Sequence, residues 1–590
     1  MSLRKGAHTL PVCSHPASLS TRLGVRQSNQ QGSSPKIRFG GTIWYVVGIE
    51  PIPITLEGEN YMNVPIIQPG CGTGCALTRR NVLATGLVTG CAACLGGLSP
   101  FRNTAAAQDA GEKMRLRVIF SLRAPVQAVP DWPNIGFDFR PVMAEIMTAF
   151  KDRCKNIDCV SSMANGPEQT KEIVEADNAA GNIDGYVVVQ MNCWNRVVQT
   201  VTATGKPVLY ADFLYAGSGG FLVYTARSLR AKNPNFAFMA SGRLADLVAA
   251  VNCMPLAKGA GGLQAYTDAV AKIRQDSAAK VKEDMGCTDD KCDVLSTSDL
   301  LKELKTKKML EYEKGWADVI PQTKETLGIE IIRRPFAELN ELWEKADKDK
   351  AQEIVTRWKK NAVAIQNVSD ETLEKSARMY LAQKQCLQIH DACGITINCL
   401  GGFYGGHIHA YPCLGFHELL NEGLVGACEC DTLSTLTMVV MTTLTKGRPG
   451  YISDPVMDVA AKQIIYAHCV AANKPFGPNG ASNPFTIMTH SEDRQGASVR
   501  STLPLGYMTT TLEMHPVRKE ILFHQAKTVA NSTEDRACRT KIAGIPVGDF
   551  EKLFTEWDTW GWHRVTFYGD LKEPVFALAD TLGWKVVEET

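Results

Sequence analysis

Charge of either sign is not in excess in this chain. Its 590 residues carry 63 Lys and Arg against 62 Asp and Glu, a formal net charge of +1 at pH 7. A nucleic-acid or anionic-membrane surface needs a basic excess, so both partner classes are disfavoured. Long apolar runs are scarce too: apart from residues 82–98, no stretch is long and apolar enough to suggest a transmembrane helix. Phosphate-binding glycine motifs are lacking. Gly217-Ser218-Gly219-Gly220 has neither the Rossmann nor the P-loop spacing and reads as a turn after a strand. No cysteine pair has a zinc-ribbon complement, which argues against structural zinc. What is there, 45% hydrophobic and 21% charged residues, suffices for about three soluble domains.

The first 61 residues mix Ser, Gly, Gln, Asn and Pro with scattered Arg and Lys. They read as a disordered extension or an over-extended reading frame, with Met62 as an alternative start. The apolar run at 42–49, about eight residues, is too short to span a bilayer. Thr78-Arg79-Arg80-Asn81-Val82-Leu83 then resembles a twin-arginine export signal, residues 82–98 form its apolar core, and Ala105-Ala106-Ala107 supplies a processing site. Val88-Thr89-Gly90-Cys91 also fits a lipoprotein box, so lipidation at Cys91 stands as the alternative to cleavage after Ala107. Residues 62–111 are therefore expected to be a signal region and the protein to be exported to the periplasm. Of 19 cysteines, many, such as Cys193, Cys253, Cys399 and Cys469, lie in apolar runs and read as buried thiols. Cys154 with Cys159, and Cys287 with Cys292, sit in polar loops where they could pair after export.

Residues 112–262 read as a first α/β domain. Apolar strands are expected at 116–122, 183–191, 208–211 and 236–240, with a helix at 140–150, which is the pattern of parallel βαβ units. Asn192 and Trp194 follow a strand end, where open α/β sheets bind ligands. An amide and an indole would suit a polyol, the first for its hydroxyls and the second for its C–H face. A capped strand end with a packed tryptophan explains them equally well. Residues 263–393 read as a second, helix-rich α/β domain, with helices at 300–310, 337–346, 352–362 and 372–386 and one strand at 328–332. The charge run at 344–350 is a solvated helix face. In residues 394–590 a strand at 394–400 leads to a flexible glycine-rich hinge at 401–406, with His407 and His409 as pocket or loop residues. Strands at 464–470, carrying His468, and at 506–514 suggest a small antiparallel barrel. The expected fold is thus two doubly wound α/β domains followed by a mixed α+β domain containing that barrel.

Residues 416–438 hold the densest chemistry: Glu418, Glu422, Glu429 and Asp431 beside an uncharged apolar segment. A helix at 416–421, a stop at Gly423, a strand at 424–430 and a helix cap at Asp431 are expected. Carboxylates from such a helix and from the far end of the strand can converge, and burying them without counter-charge would cost several kcal/mol. A divalent cation with oxygen ligands would supply the counter-charge. Alternatively, Asp431 is only an N-cap and Glu418 a solvated helix residue.

Residues 557–569, WDTWGWHRVTFYG, weigh on that choice. They resemble the end of the L-fucose isomerase family, where an Asn-Trp-Gly segment leads to a ligand histidine and a Thr-Tyr-Gly strand. That family also carries a Phe-x-Glu helix followed, after a strand, by an acid-rich turn ending in Asp. The resemblance implies that Glu418, Asp431 and His563 bind a divalent metal of the Mn2+ type, with Glu418 and Asp431 doubling as acid and base. Glu422 and Glu429 are expected to support them. Trp562 and His468 join Asn192 and Trp194 as expected substrate contacts. The sequence departs from the family at Trp562, Cys428 and Cys430. The implied activity is aldose–ketose isomerisation through an enediol, in a homo-oligomer that is a hexamer in the family, with no organic cofactor. An exported sugar-binding protein and a metal-dependent lyase or epimerase on a polyhydroxylated substrate are the alternatives.

Overall fold

The computed structural model describes residues 113–315 and 317–590, together with the backbone of a short antiparallel hairpin, β1 (Ile37–Phe39) and β2 (Thr42–Trp44). Apart from that hairpin, the extension at 1–61, the twin-arginine-type segment, Ala107 and Cys91 lie outside the described residues.

Five strands build the first sheet: β3 (Met114–Ser121), β4 (Ile157–Ala164), β5 (Gly185–Gln190), β6 (Val208–Asp212) and β7 (Phe236–Met239). They are all parallel, in the order β4-β3-β5-β6-β7. The sequence of β5, GYVVVQ, has no polar alternation, and every residue of it is buried, as a strand covered by helices on both faces requires. The edge strand β4, IDCVSSMA, alternates in exposure and was not expected from its polar sequence. The glycine-rich segment at 217–220 is a helix start rather than a turn: the helix Ser218–Arg230 begins there. A Cβ on Gly217 would lie 2.5 Å from the Gln190 side chain, and one on Gly220 would lie 2.8 Å from the Trp194 backbone nitrogen. The glycines let this helix press against the end of β5.

The second sheet is also parallel, with β8 (Lys308–Tyr312), β9 (Glu330–Arg334), β11 (Gly394–Ile397) and β12 (Val425–Ala427) in the order β12-β11-β8-β9. It draws strands from both sides of position 393, so the expected boundary between the second and third domains runs through a sheet. The helix expected at 300–310 stops at Leu304, and residues 308–312 become a central strand. Local pattern could not separate the two, because KMLEY is a short apolar run whose state is decided by the strands on either side. The expected glycine hinge is instead part of the helix Cys399–Tyr404, capped by the Asn398 side chain, which accepts the Gly401 N–H. A small third sheet joins β10 (Ala364–Gln366), β15 (Phe485–Met488) and β16 (Ser498–Ser501).

Before β12 runs the helix Cys413–Asn421, and the two pack so closely that a Cβ on Gly426 would sit 2.7 Å from the Phe416 Cα. Gly426→Ala is expected to cost about 1–3 kcal/mol through overpacking, read as a lowered apparent melting temperature.

The barrel consists of β13 (Tyr451–Asp458), β14 (Gln463–His468), β17 (Met508–His515), β18 (Glu520–Asn531), β19 (Thr540–Pro546) and β20 (Arg564–Tyr568). These six antiparallel strands close on themselves, because β18 pairs with both β17 and β19. A seventh strand, β21 (Lys585–Glu588), adds parallel to β18. The expected parallel α/β layers and small antiparallel barrel are both present. The fourteen described cysteines are free thiols, including Cys154, Cys159, Cys287 and Cys292, so neither of the two pairs that could form after export is bonded here. Among the described residues no helix is long and apolar enough to cross a membrane.

Candidate functional site

Three neighbouring barrel strands, β20, β13 and β14, deliver one wall of the site. Register sets Asp454 of β13 opposite Ala467 of β14, and Ser453 opposite Arg564 of β20. His468, which ends β14, and His563, just before β20, therefore flank Asp454, with their ring centroids 5.5 Å apart. The opposite wall is the turn after β12. Glu429 and Cys430 there adopt φ of 62° and 54°. Neither is glycine, so each left-handed residue costs about 1–2 kcal/mol, and the tight reversal points the Glu429 carboxylate at the barrel strands. Its Oε2 lies 3.7 Å from His563 Nε2, and Asp454 Oδ1 lies 3.4 Å from the same nitrogen.

Asp431 stands on the other side of the imidazole. Its Oδ2 accepts the His563 Nδ1–H at 3.0 Å and the Ser434 hydroxyl at 3.2 Å, and its Oδ1 accepts the backbone N–H of Leu433 and of Ser434, each at 3.1 Å. The residue thus caps the helix Thr432–Leu444, as expected. With four partners this carboxylate is engaged on the Nδ1 side of the imidazole, where it orients the ring. Asp431, expected as ligand and acid–base group, thus meets His563 at Nδ1, while Glu429 and Asp454 lie nearest its Nε2. A carboxylate behind Nδ1 fixes the tautomer that leaves Nε2 able to bind a metal.

Glu418 is not brought to the site. Its Oε1 accepts Trp358 Nε1–H at 2.7 Å and its Oε2 pairs with Arg357 at 2.8 Å, both from the helix Lys348–Asn361. Helical phase is the reason. Phe416 lies on Gly426 and so faces the sheet, and a residue two positions on is about 200° around the axis, pointing away from it. The acid in its place is Glu429. Glu422 is engaged with Tyr380 and with Lys384, the latter at 2.8 Å.

The donor set suits a divalent cation. The Glu429 and Asp454 side chains retain 12% and 13% exposure, enough to meet a small molecule, and the groups paired with them are imidazoles. Burial opposes charge on His563, but the surrounding carboxylates of Asp431, Asp454 and Glu429 outweigh it and hold the ring well above the usual imidazole range. Burial pushes the Glu429 carboxyl well up, against the pull of His563. Two carboxylates and an imidazole nitrogen are oxygen and nitrogen donors of the kind that divalent ions take. Sulfur flanks it: Cys428 with Glu429 and His468, and Cys538 with Asp454 and His468, place their donor atoms within 4.8 Å of one another.

His468 accepts the Cys469 backbone N–H at Nδ1, 2.8 Å away. Its neutral ring then carries the proton on Nε2, a buried atom with no hydrogen-bond partner among the described residues, 3.9 Å from Glu429 Oε1. A ring in that state donates rather than ligates, as a contact to a substrate oxygen needs. Trp194 and Trp562 meet with ring centroids 4.5 Å apart, joining the loop after β5 to the segment before β20. Asn192 is occupied elsewhere: its amide N–H groups go to Gln127 Oε1 and the Trp132 carbonyl, and its oxygen accepts the Arg123 N–H. It holds a loop and has no donor to spare for substrate. His407 stacks on Phe336, and His409 lies 3.2 Å from Glu344, in a peripheral loop.

Asp454 was missed by sequence reasoning. Its signal was an acid followed by proline in the middle of an otherwise apolar and small-residue strand, YISDPVMD, whose other acid, Asp458, ends it. His490 and Glu492 lie nearby in the loop after β15. His490 Nδ1 is 3.2 Å from Asp493, and burial raises the Glu492 carboxyl to about 7, with Asp131 of the first α/β domain adding to the rise.

Asp431→Asn tests the tautomer argument. Asparagine caps a helix as well as aspartate does, so its oxygen would keep the backbone contacts and its amide would face His563 Nδ1. The ring would then accept at Nδ1 and carry its proton on Nε2. Mn2+ affinity is expected to fall about 10–100-fold with little loss of thermal stability, measured by calorimetric titration and melting.

No family model matches the chain. It is 26% identical over 219 residues to the sulfoquinovose isomerase of Priestia aryabhattai, covering 35% of this chain and 47% of the relative. It is 25% identical over 227 residues to the sulfoquinovose isomerase of Clostridium sp. (strain MSTE9), covering 37% and 49%. The match spans about half the length of these curated relatives. A solved structure of a periplasmic ribose ABC transporter from Conexibacter woesei DSM 14684 aligns with 51% of this chain and 80% of its own at 13% identity. Its TM-score of 0.15 is too low to say anything about the fold. Over about a third of its length, then, the chain is similar to sugar isomerases.

Proposed function

We propose that this protein is a divalent-metal-dependent aldose–ketose isomerase, acting on an open-chain sugar through an enediol. The observation that carries the reading is that Glu429 and Asp454 bring carboxylate oxygens to 3.7 and 3.4 Å from the same nitrogen, His563 Nε2. Similarity to enzymes named sulfoquinovose isomerase supports the substrate class and makes sulfoquinovose the first sugar to test.

The cation, Mn2+ by preference, would be held by Glu429, Asp454 and His563 and would supply Lewis acidity toward the adjacent carbonyl and hydroxyl oxygens of the sugar. Asp431 keeps the His563 ring in place. The two carboxylates are the acid–base groups. From an aldose, one removes the proton on C2 while the C2 hydroxyl gives up its proton and the C1 carbonyl oxygen gains one. The carbon-derived proton then returns to C1. The His468 Nε2–H is placed to donate to a substrate oxygen, and the Trp194–Trp562 pair offers an apolar face for the C–H side of the sugar. Export by the twin-arginine-type signal, lipidation at Cys91 or cleavage after Ala107, and assembly into a homo-oligomer, a hexamer by family resemblance, are proposals carried by the sequence alone.

Metal-loaded protein incubated with sulfoquinovose and with common aldoses and ketoses in deuterated water should place deuterium at the carbon next to the carbonyl, together with the isomeric product. Sugar binding without exchange or product in all of them would turn the reading to a binding protein. Cleavage products would turn it to a lyase.

A further inference from the structure

Behind Asp431, away from His563, stands a carboxyl that the proposed chemistry does not use. Glu513 of β17 is 1% exposed. Its polar partners are hydroxyls, not cations: Ser434 Oγ lies 3.0 Å from Oε2 and Thr437 Oγ1 lies 3.4 Å from Oε1. Counting protons decides its state. The Ser434 hydroxyl has one proton and two carboxylate oxygens in reach, Glu513 Oε2 at 3.0 Å and Asp431 Oδ2 at 3.2 Å. Thr437 gives its only proton to the Leu433 carbonyl at 2.9 Å and accepts the Met514 N–H at 2.9 Å, so it has none for Glu513. Were both acids ionised, Asp431 would keep its two backbone N–H donors and His563, but the buried Glu513 anion would have the Ser434 hydroxyl as its single donor, which would cost several kcal/mol.

A neutral Glu513 leaves no buried anion short of donors. Its Oε2–H donates to Ser434 Oγ, and the Ser434 proton then goes to Asp431 Oδ2. The other assignment, a neutral Asp431, fails because Asp431 already accepts two N–H groups at a helix N-terminus and a third from His563. Electrostatics agree. Burial, then the Asp431 charge, hold the Glu513 carboxyl well above its usual range, against the opposing pull of Arg564, Ser434 and His563. Two acids joined by one serine are pushed apart by their surroundings, one to the anion and one to the neutral acid.

We propose that Glu513 is a positioning residue for the metal arm: as a neutral acid it donates to Ser434, which commits the serine proton to Asp431 and so holds His563 with Nε2 toward the cation. This rests on the proposed assignment of His563 as a ligand. Ionising Glu513 would draw the Ser434 proton back and leave Asp431 with one donor fewer.

Two measurements on the full chain test it. The infrared difference spectrum of the wild type minus Glu513→Gln should contain the C=O stretch of one buried carboxylic acid, shifted in deuterated water. In Mn2+ titrations Glu513→Gln, whose amide also donates to Ser434, should bind within about threefold of the wild type, while Glu513→Ala and Ser434→Ala should bind about tenfold more weakly. Absence of the acid band overturns the proposal, as does Glu513→Gln weakening Mn2+ as much as Glu513→Ala, or Glu513→Ala binding as tightly as the wild type. If Glu513→Ala does not fold, the band and the Glu513→Gln titration still decide. A wild type that shows the band but binds no Mn2+ overturns the ligand assignment, and the positioning role with it, leaving the neutral acid in place.

Discussion

Glu429→Gln and Asp454→Asn should each bind Mn2+ at least about 100-fold more weakly than the wild type, beyond the 10–100-fold that loss of a supporting group costs, whereas Glu418→Gln should bind it as tightly. The contrast follows from geometry. Glu429 and Asp454 put carboxylate oxygens 3.7 and 3.4 Å from His563 Nε2, so each substitution removes one of the two anions around the central point. Glu418 faces another helix, where it accepts the Trp358 indole N–H and pairs with Arg357. A glutamine oxygen can still accept that N–H, so only the ion pair of Glu418 with the half-exposed Arg357 is lost. Isothermal titration of the three variants with Mn2+ checks this. Loss of binding in Glu418→Gln alone would restore the ligand set that the sequence suggests.

The second large effect is on stability. Glu589, Arg564 and His524 have fully buried side chains, and the Glu589 carboxylate meets Arg564 Nη2 at 2.8 Å and His524 Nδ1 at 2.9 Å. Glu589→Ala leaves a buried guanidinium without its anion, which is expected to cost about 3–5 kcal/mol. Because Arg564 also donates to the His563 and Gly561 carbonyls, the loss should reach the metal site as weaker Mn2+ binding. The same triad predicts an acid transition. Burial pushes the Glu589 carboxyl up, but the charges of Arg564 and His524 prevail and hold it at about 2, below its ordinary 4.5. A folded-state value below the unfolded one means a contribution that is complete above about pH 4.5 and lost as pH falls toward 2. Melting curves from pH 6 to pH 2 should show a fall in apparent melting temperature for the wild type that is smaller in Glu589→Gln. Parallel curves for the two proteins would exclude Glu589 as the titrating group.

Periodicity and punctuation in the chain determined a good deal. Uninterrupted apolar runs such as GYVVVQ have only one stable environment, a strand covered on both faces, so the parallel α/β layers were legible. The position of Asp431 ahead of TLSTLTM identified a helix cap, because a short acid before an uncharged helix finds its best partners in the free N–H groups. The motif around His563 singled it out, and the fold sets Asp431, Glu429 and Asp454 beside it. The choice among acids was not. Whether Glu418 or Glu429 reaches His563 depends on which face of the helix Cys413–Asn421 lies on Gly426 and on two left-handed residues after β12, and a local pattern holds neither. Asp454 and His468 join His563 only through strand register, a pairing of segments about a hundred residues apart that closure of the barrel imposes. Asp431 itself needed both levels: its cap is local, but its place behind His563 Nδ1, instead of in front of Nε2, is decided by where β20 meets the helix N-terminus. Residue type and spacing determine which groups can carry chemistry, while packing decides which of them point at the same place.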